Sequence, residues 1–154
     1  ERSARVEDFS ELHRLQEDLS DTLSHWRRTT GYGRGIAAPQ IGVLKRVVFI
    51  NIDRPWLLAN PSITWMSQER MTVWDACLSY LCIFFQVSRA EKIKVNYQDE
   101  NGQEKEVVVE GALSELLQHE IDHLDGILAI DRVSDVRTIC TREEYEKRYA
   151  PKNV

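Results

Sequence analysis

His119-Glu120-Ile121-Asp122-His123 is the stretch of this chain best equipped for chemistry. In a helix its two histidines stand one turn apart on one face, where two imidazoles can share a metal ion, and Glu120 projects beside them as a carboxylate able to move a proton. The reaction suited to that spacing is hydrolysis by a metal-activated water, with a third ligand supplied from elsewhere. The pattern is short, and a bland exposed helix with two histidines has the same spacing. Two features weigh against the bland reading. Half of the four histidines are here, and Leu113, Leu116, Leu117, Ile121 and Leu124 would seat the helix on a core. Gly126 is placed to end it.

The surrounding elements follow from periodicity. Val6, Phe9, Leu12, Leu15, Leu19, Leu23 and Trp26 recur at three and four residues, which predicts an amphipathic N-terminal helix closed by Arg27-Arg28-Thr29-Thr30-Gly31. His13 and His25 on that helix have no partner at metal spacing and read as solvated. The glycines of Gly31 to Gly42 do not make a nucleotide fingerprint, because Pro39 opposes the helix such a loop must open. Small residues there let backbone pass close to another element or a ligand, with Gln40 as the polar side chain able to face it. Lys45 to Ile50 reads as a buried strand, and Trp56 to Trp65 as one or two short strands broken at Asn60-Pro61. Val73 to Phe85 reads as core, with Cys82 a small buried hydrophobe. Alternating Ile93, Val95, Tyr97 and Val107, Val109 flank Asn101-Gly102 as a hairpin. Thr141-Arg142-Glu143-Glu144 is a capping box opening a short C-terminal helix.

Composition bounds the whole. With 154 residues and 42% hydrophobic content, a single domain over 1–154 is expected. A net charge of -5 speaks against direct nucleic-acid binding. No run of 18 apolar residues predicts a membrane helix. Cys77, Cys82 and Cys140 form no regular framework, which favours a reducing compartment and leaves one of them free to act as a ligand. The first residue is Glu1 rather than Met, so a trimmed or processed chain is expected. No heptad or sticky stripe is evident, and a monomer is expected.

Three motifs then stand in one order: Gly33-Arg34-Gly35-Ile36-Ala37-Ala38-Pro39-Gln40, Cys77-Leu78-Ser79, and Gln118-His119-Glu120-Ile121-Asp122-His123. Together they closely resemble the peptide deformylase family, whose members carry G-x-G-x-A-A-x-Q, E-G-C-L-S and Q-H-E-x-D-H in that sequence. The likeness runs from the first helix to about Arg132. It implies an α+β fold, with short antiparallel sheets wrapped around a central metal-binding helix, an N-terminal amphipathic helix and a short C-terminal one. It also implies one divalent metal held by Cys77, His119 and His123, usually iron(II), with zinc, nickel or cobalt as substitutes. Glu120 would serve as the proton carrier, and the Gln40 amide and Leu78 backbone N–H as oxyanion donors. Asp122, Arg89 and Asp75 are expected behind the ligands, with Asp122 paired to Arg89. The implied activity is removal of the N-formyl group from the N-terminal methionine of nascent polypeptides, with an altered or weak substrate preference left open. The partner would be an N-formylated peptide or nascent chain, with the ribosome met only indirectly, and the implied setting is a mitochondrion or similar organelle, with the cytoplasm as the alternative.

Several positions depart from the family. The usual E-G-C reads Asp75-Ala76-Cys77, and the family's Arg at the position of Phe84 is gone, so Asp75 is expected to lack a charged partner. Gly35, Arg34, Glu115 and Phe84 border the implied substrate groove, where Arg34 and Glu115 put two charges into a methionine pocket. An ion pair between them is expected. These departures keep open a catalytically impaired, metal-retaining binding protein. A different H-E-x-x-H hydrolase such as a peptidase would have to make the other two motifs coincidental.

Overall fold

A computed structural model describes residues 1–150, leaving aside the Leu81 side chain. The chain begins with an extended segment whose Ala4 bridges Lys45, then forms α1 (Leu12–Thr30). Strands β1 (Gly35–Ala37), β2 (Val47–Asn51), β3 (Pro55–Met66), β4 (Arg70–Cys77), β5 (Tyr80–Ala90), β6 (Lys92–Gln98) and β7 (Glu104–Glu110) follow. After them come α2 (Ala112–Leu124), the two-residue β8 (Cys140–Thr141) and α3 (Arg142–Arg148). The named strands all pair antiparallel: one sheet runs β1-β2-β3-β6-β7, and a second runs β4-β5-β8.

The five-stranded sheet is buried on both faces at β1 and β2, which explains the unbroken apolar run of β2. Side chains alternate across a strand, so Val48 and Ile50 meet Leu116, Leu117, Ile121 and Leu124 of α2, while Val47 and Phe49 meet Leu12, Leu15, Leu19 and Leu23 of α1. The second sheet closes a smaller cluster of Phe85, Val87 and Ala129. α2 therefore lies at the centre with sheets around it, as expected. Among the described residues, no helix is long and apolar enough to cross a membrane.

Three sequence expectations need correction. The first helix starts at Leu12 rather than near Val6; Val6 is instead pinned by the Asn60 side chain, which accepts from its N–H at 2.7 Å and donates to its carbonyl at 2.9 Å. Trp56 to Trp65 lies within one strand, because Asn60 absorbs the irregularity as a bulge with φ +50°. Cys82 is exposed rather than core, since it sits on the outward face of a strand in the thin second sheet. Trp65 lies half-exposed on the outer end of β3. The Asn101-Gly102 hairpin, the Thr141 cap and the stop at Gly126, with φ +76°, all form as read.

Candidate metal centre and substrate cavity

α2 carries the histidines on the face turned toward the second sheet. The side-chain Nε2 atoms of His119 and His123 lie 3.1 Å apart, and Cys77 Sγ is 3.2 Å from the Nε2 of His123. All three residues are buried, and their donor atoms fall within 4.8 Å of one another. One sulfur and two imidazole nitrogens converging at that range fit a divalent transition metal, by number and by softness. Cys77 reaches this point because β4 ends in a bulge at Ala76 and turns through Leu78-Ser79 into β5, with Cys77 paired to Tyr80.

The electrostatics prepare the ligands. Burial opposes ionisation of the Cys77 thiol, but hydrogen bonds and charge from His119 and His123 outweigh it and bring the thiol down to about 5. Burial also opposes charge on His119, and there Asp75, with Cys77 and Glu120 beside it, holds the imidazolium well above its ordinary value. Asp75 Oδ1 accepts from His119 Nδ1 at 2.8 Å, which leaves Nε2 aimed at the centre. Asp75 Oδ2 accepts from Arg89 Nη2 at 3.3 Å. The expectation that Asp75 lacks a charged partner is therefore wrong. Arg89, five residues beyond Phe84 on β5, fills that role, and Phe84 is not needed for it. Arg89 Nη1 also donates to Asp122 at 2.6 Å, and Arg132 donates to the other oxygen at 2.9 Å, so the expected Asp122–Arg89 pair forms and Arg132 joins it.

Glu120 is buried, and burial raises its carboxyl above the ordinary range. Its Oε2 has no hydrogen-bond partner among the described residues. Its Oε1 rests against Gly35: a Cβ there would sit 2.8 Å away, so the glycine is required by close approach rather than by a turn. Gln40 spends its carbonyl on the Ala37 N–H at 2.9 Å, which turns its amide toward Cys77 Sγ at 3.4 Å and Ser79 Oγ at 3.3 Å. Gln118 is different, since its amide is consumed by the Ala90 backbone and Ser114, and it serves to seat α2 on β5.

These groups open onto a cavity of about 240 Å³ whose lining includes Gly35, Cys77, Leu78, His119 and Glu120. Arg34 and Glu115 face it as the expected ion pair. Phe84 forms part of its wall, stacked on Tyr145 at 4.3 Å between ring centroids, and Arg142 sits over the Tyr32 ring at 4.8 Å. The contribution of α3 to this wall escaped the sequence reading. Its one signal was the unexplained density of aromatics at Tyr32, Trp74 and Tyr145, which have no spacing in common because they meet only in space.

Comparison with known proteins gives a consistent result. The polypeptide deformylase family model matches residues 1–138. A peptide deformylase of Bartonella tribocorum is 35% identical over 150 residues, covering 92% of this chain and 82% of its own. One from a Picosynechococcus species is 37% identical over 140 residues, covering 87% and 71%. Among solved structures, the peptide deformylase of Thermotoga maritima superposes with a TM-score of 0.82 at 35% identity, over 88% of this chain and 90% of that one. The Synechococcus elongatus enzyme in complex with actinonin gives 0.81 at 32% identity, over 90% and 74%.

Proposed function

This chain belongs to the polypeptide deformylase family, and from that premise we propose that it hydrolyses the N-formyl group from the first residue of formylated peptides or nascent chains. The observation that carries the reading is a Cys77-His119-His123 triad with the buried, unpartnered Glu120 oxygen beside it. Cys77, His119 and His123 would hold a divalent metal, iron(II) in our reading, with zinc, nickel or cobalt able to replace it. Bound there, the cation supplies Lewis acidity and a water that ionises near neutral pH.

The remaining work falls to the chain's own side chains. Glu120 Oε2 takes the proton from the attacking water and delivers it to the departing amine nitrogen; its raised carboxyl suits both halves of that transfer. The Gln40 amide, held by Ala37, and the backbone N–H of Leu78 donate to the oxygen on which charge develops. Asp75 fixes the tautomer and direction of His119, and Arg89 and Asp122 hold Asp75 and α2 in register. The substitution of Asp for Glu in the motif leaves that relay intact, which removes the main ground for expecting an impaired protein.

The test is formate release from formylated tripeptides by iron(II)-loaded protein, with Glu120→Gln as control. We expect turnover in the parent and a loss of about 100-fold or more in the variant with one metal per chain retained. Equal turnover in the two proteins would overturn the reading.

A further inference from the structure

The cavity beside the triad has a charged floor. Glu115 precedes His119 by four residues on α2 and so faces the same side of the helix, one turn below the ligand. It is only 5% exposed, and its carboxylate accepts from Arg34 Nη2 at 2.7 Å and 3.1 Å. The root of Arg34 is fixed on both sides. The Gly33 carbonyl accepts from Arg27 Nε at 2.9 Å, the Arg34 carbonyl accepts from the Asn51 N–H at 3.0 Å, and Gly35 packs under Glu120. The guanidinium offsets the water that a carboxylate this deep has lost.

The pair has hydrogen-bonding capacity left over. A guanidinium carries five donors and a carboxylate can accept at several positions, while Arg34 Nη1 has only a 3.5 Å contact to the Ala112 carbonyl. An apolar side chain pressed onto this floor would strip water from the guanidinium, which is 44% exposed, and return nothing. A side chain with a full charge would pair with one member only by competing with the other. A neutral group that both donates and accepts replaces the lost water and leaves the ion pair whole.

The geometry points to an N-formyl substrate whose first side chain ends in such a group, a carboxamide above all, in preference to the thioether of methionine. This rests on the deformylase reading of the same cavity. The formyl carbon must lie among the triad and Glu120, and the side chain on the α-carbon, across the amide nitrogen from it, extends one helical turn toward Glu115.

The test compares formyl-Gln-Ala-Ser with formyl-Met-Ala-Ser in two ways: kcat/KM of the iron(II)-loaded protein, and Kd for the zinc-loaded Glu120→Gln variant, which reads binding without turnover. We expect the glutamine peptide to lead by about ten-fold in both, and the order to reverse in the Arg34→Leu/Glu115→Leu double variant. Arg34→Leu alone should shift preference toward formyl-Lys, and Glu115→Leu alone toward formyl-Glu. A methionine peptide that binds and turns over as well as the glutamine one in the parent protein would overturn the inference. Glutamine-led binding without any formate release would uphold it and overturn the deformylase reading instead.

Discussion

Gly35 and Asp75 show how closely single atoms govern this centre. Because a Cβ on Gly35 would meet Glu120 Oε1 at 2.8 Å, Gly35→Ala should push the carboxylate out of line. We expect formate release to fall by about 100-fold with metal content and melting temperature little changed, as read by turnover, metal analysis and calorimetry. Asp75→Asn keeps the shape but cannot hold the His119 tautomer against Arg89. Its expected signature is a metal affinity about 10- to 100-fold weaker in competition with a chelator. The lowered Cys77 thiol and the raised His119 together describe a thiolate facing an imidazolium at neutral pH. Metal uptake at pH 7 should thus release about one proton from the Cys77–His119 pair. Titration calorimetry in buffers of different ionisation enthalpy measures that number, and a release near zero would contradict the assignment. At this scale the ligands and Glu120 were legible because three motifs name them. The partner of Asp75 was not, because Arg89 lies fourteen residues away on the neighbouring strand and only the β4-β5 register brings them together.

The elements illustrate which signals periodicity carries. α2, its stop at Gly126 and the Thr141 cap were readable because apolar spacing and capping chemistry are local. The start of α1 was not, since Val6 and Phe9 continue its apolar rhythm yet belong to an extended segment that the Asn60 side chain holds from across the chain. Asn60 also kept β3 whole where Asn-Pro predicted a break. It tolerates φ +50° and binds Val6 and Gln98 through its amide. Asn60→Ala should lose both the bonds and the easy backbone geometry, costing about 2–3 kcal/mol in denaturant unfolding. Asn60→Gly should cost less, because it restores only the second. Equal costs for the two would mean the backbone conformation contributes nothing.

At the scale of the whole molecule, the N-terminal segment is tied to the end of α2 by charge. Asp125 accepts from Arg46 at 2.8 Å and from Arg2 at 3.0 Å. Partial burial pushes its carboxyl up, but those two cations outweigh it and leave it below its ordinary 3.8. A folded value below the unfolded one means the stabilisation is complete above the unfolded pKa and is lost as the pH falls through the folded one. The stability gap between the parent and Asp125→Asn should accordingly be constant from pH 5 to 7 and close below about pH 4; a gap that persisted in acid would show that the contact is not ionic. The layered architecture was legible from sequence because β2 is apolar on both faces. The membership of α3 in the cavity wall was not, because it depends on where the second sheet places β8.

α2 gives one face to the core, through Leu117 and Leu124, and the other to His119, His123, Glu115 and Glu120. The same thirteen residues thus answer to two masters, cohesion and reactivity, with no hinge between them. Such a molecule has little room to soften before it falls silent: heat or a core substitution that loosens the helix withdraws the ligands in the same movement, so turnover and compactness should fail at one temperature.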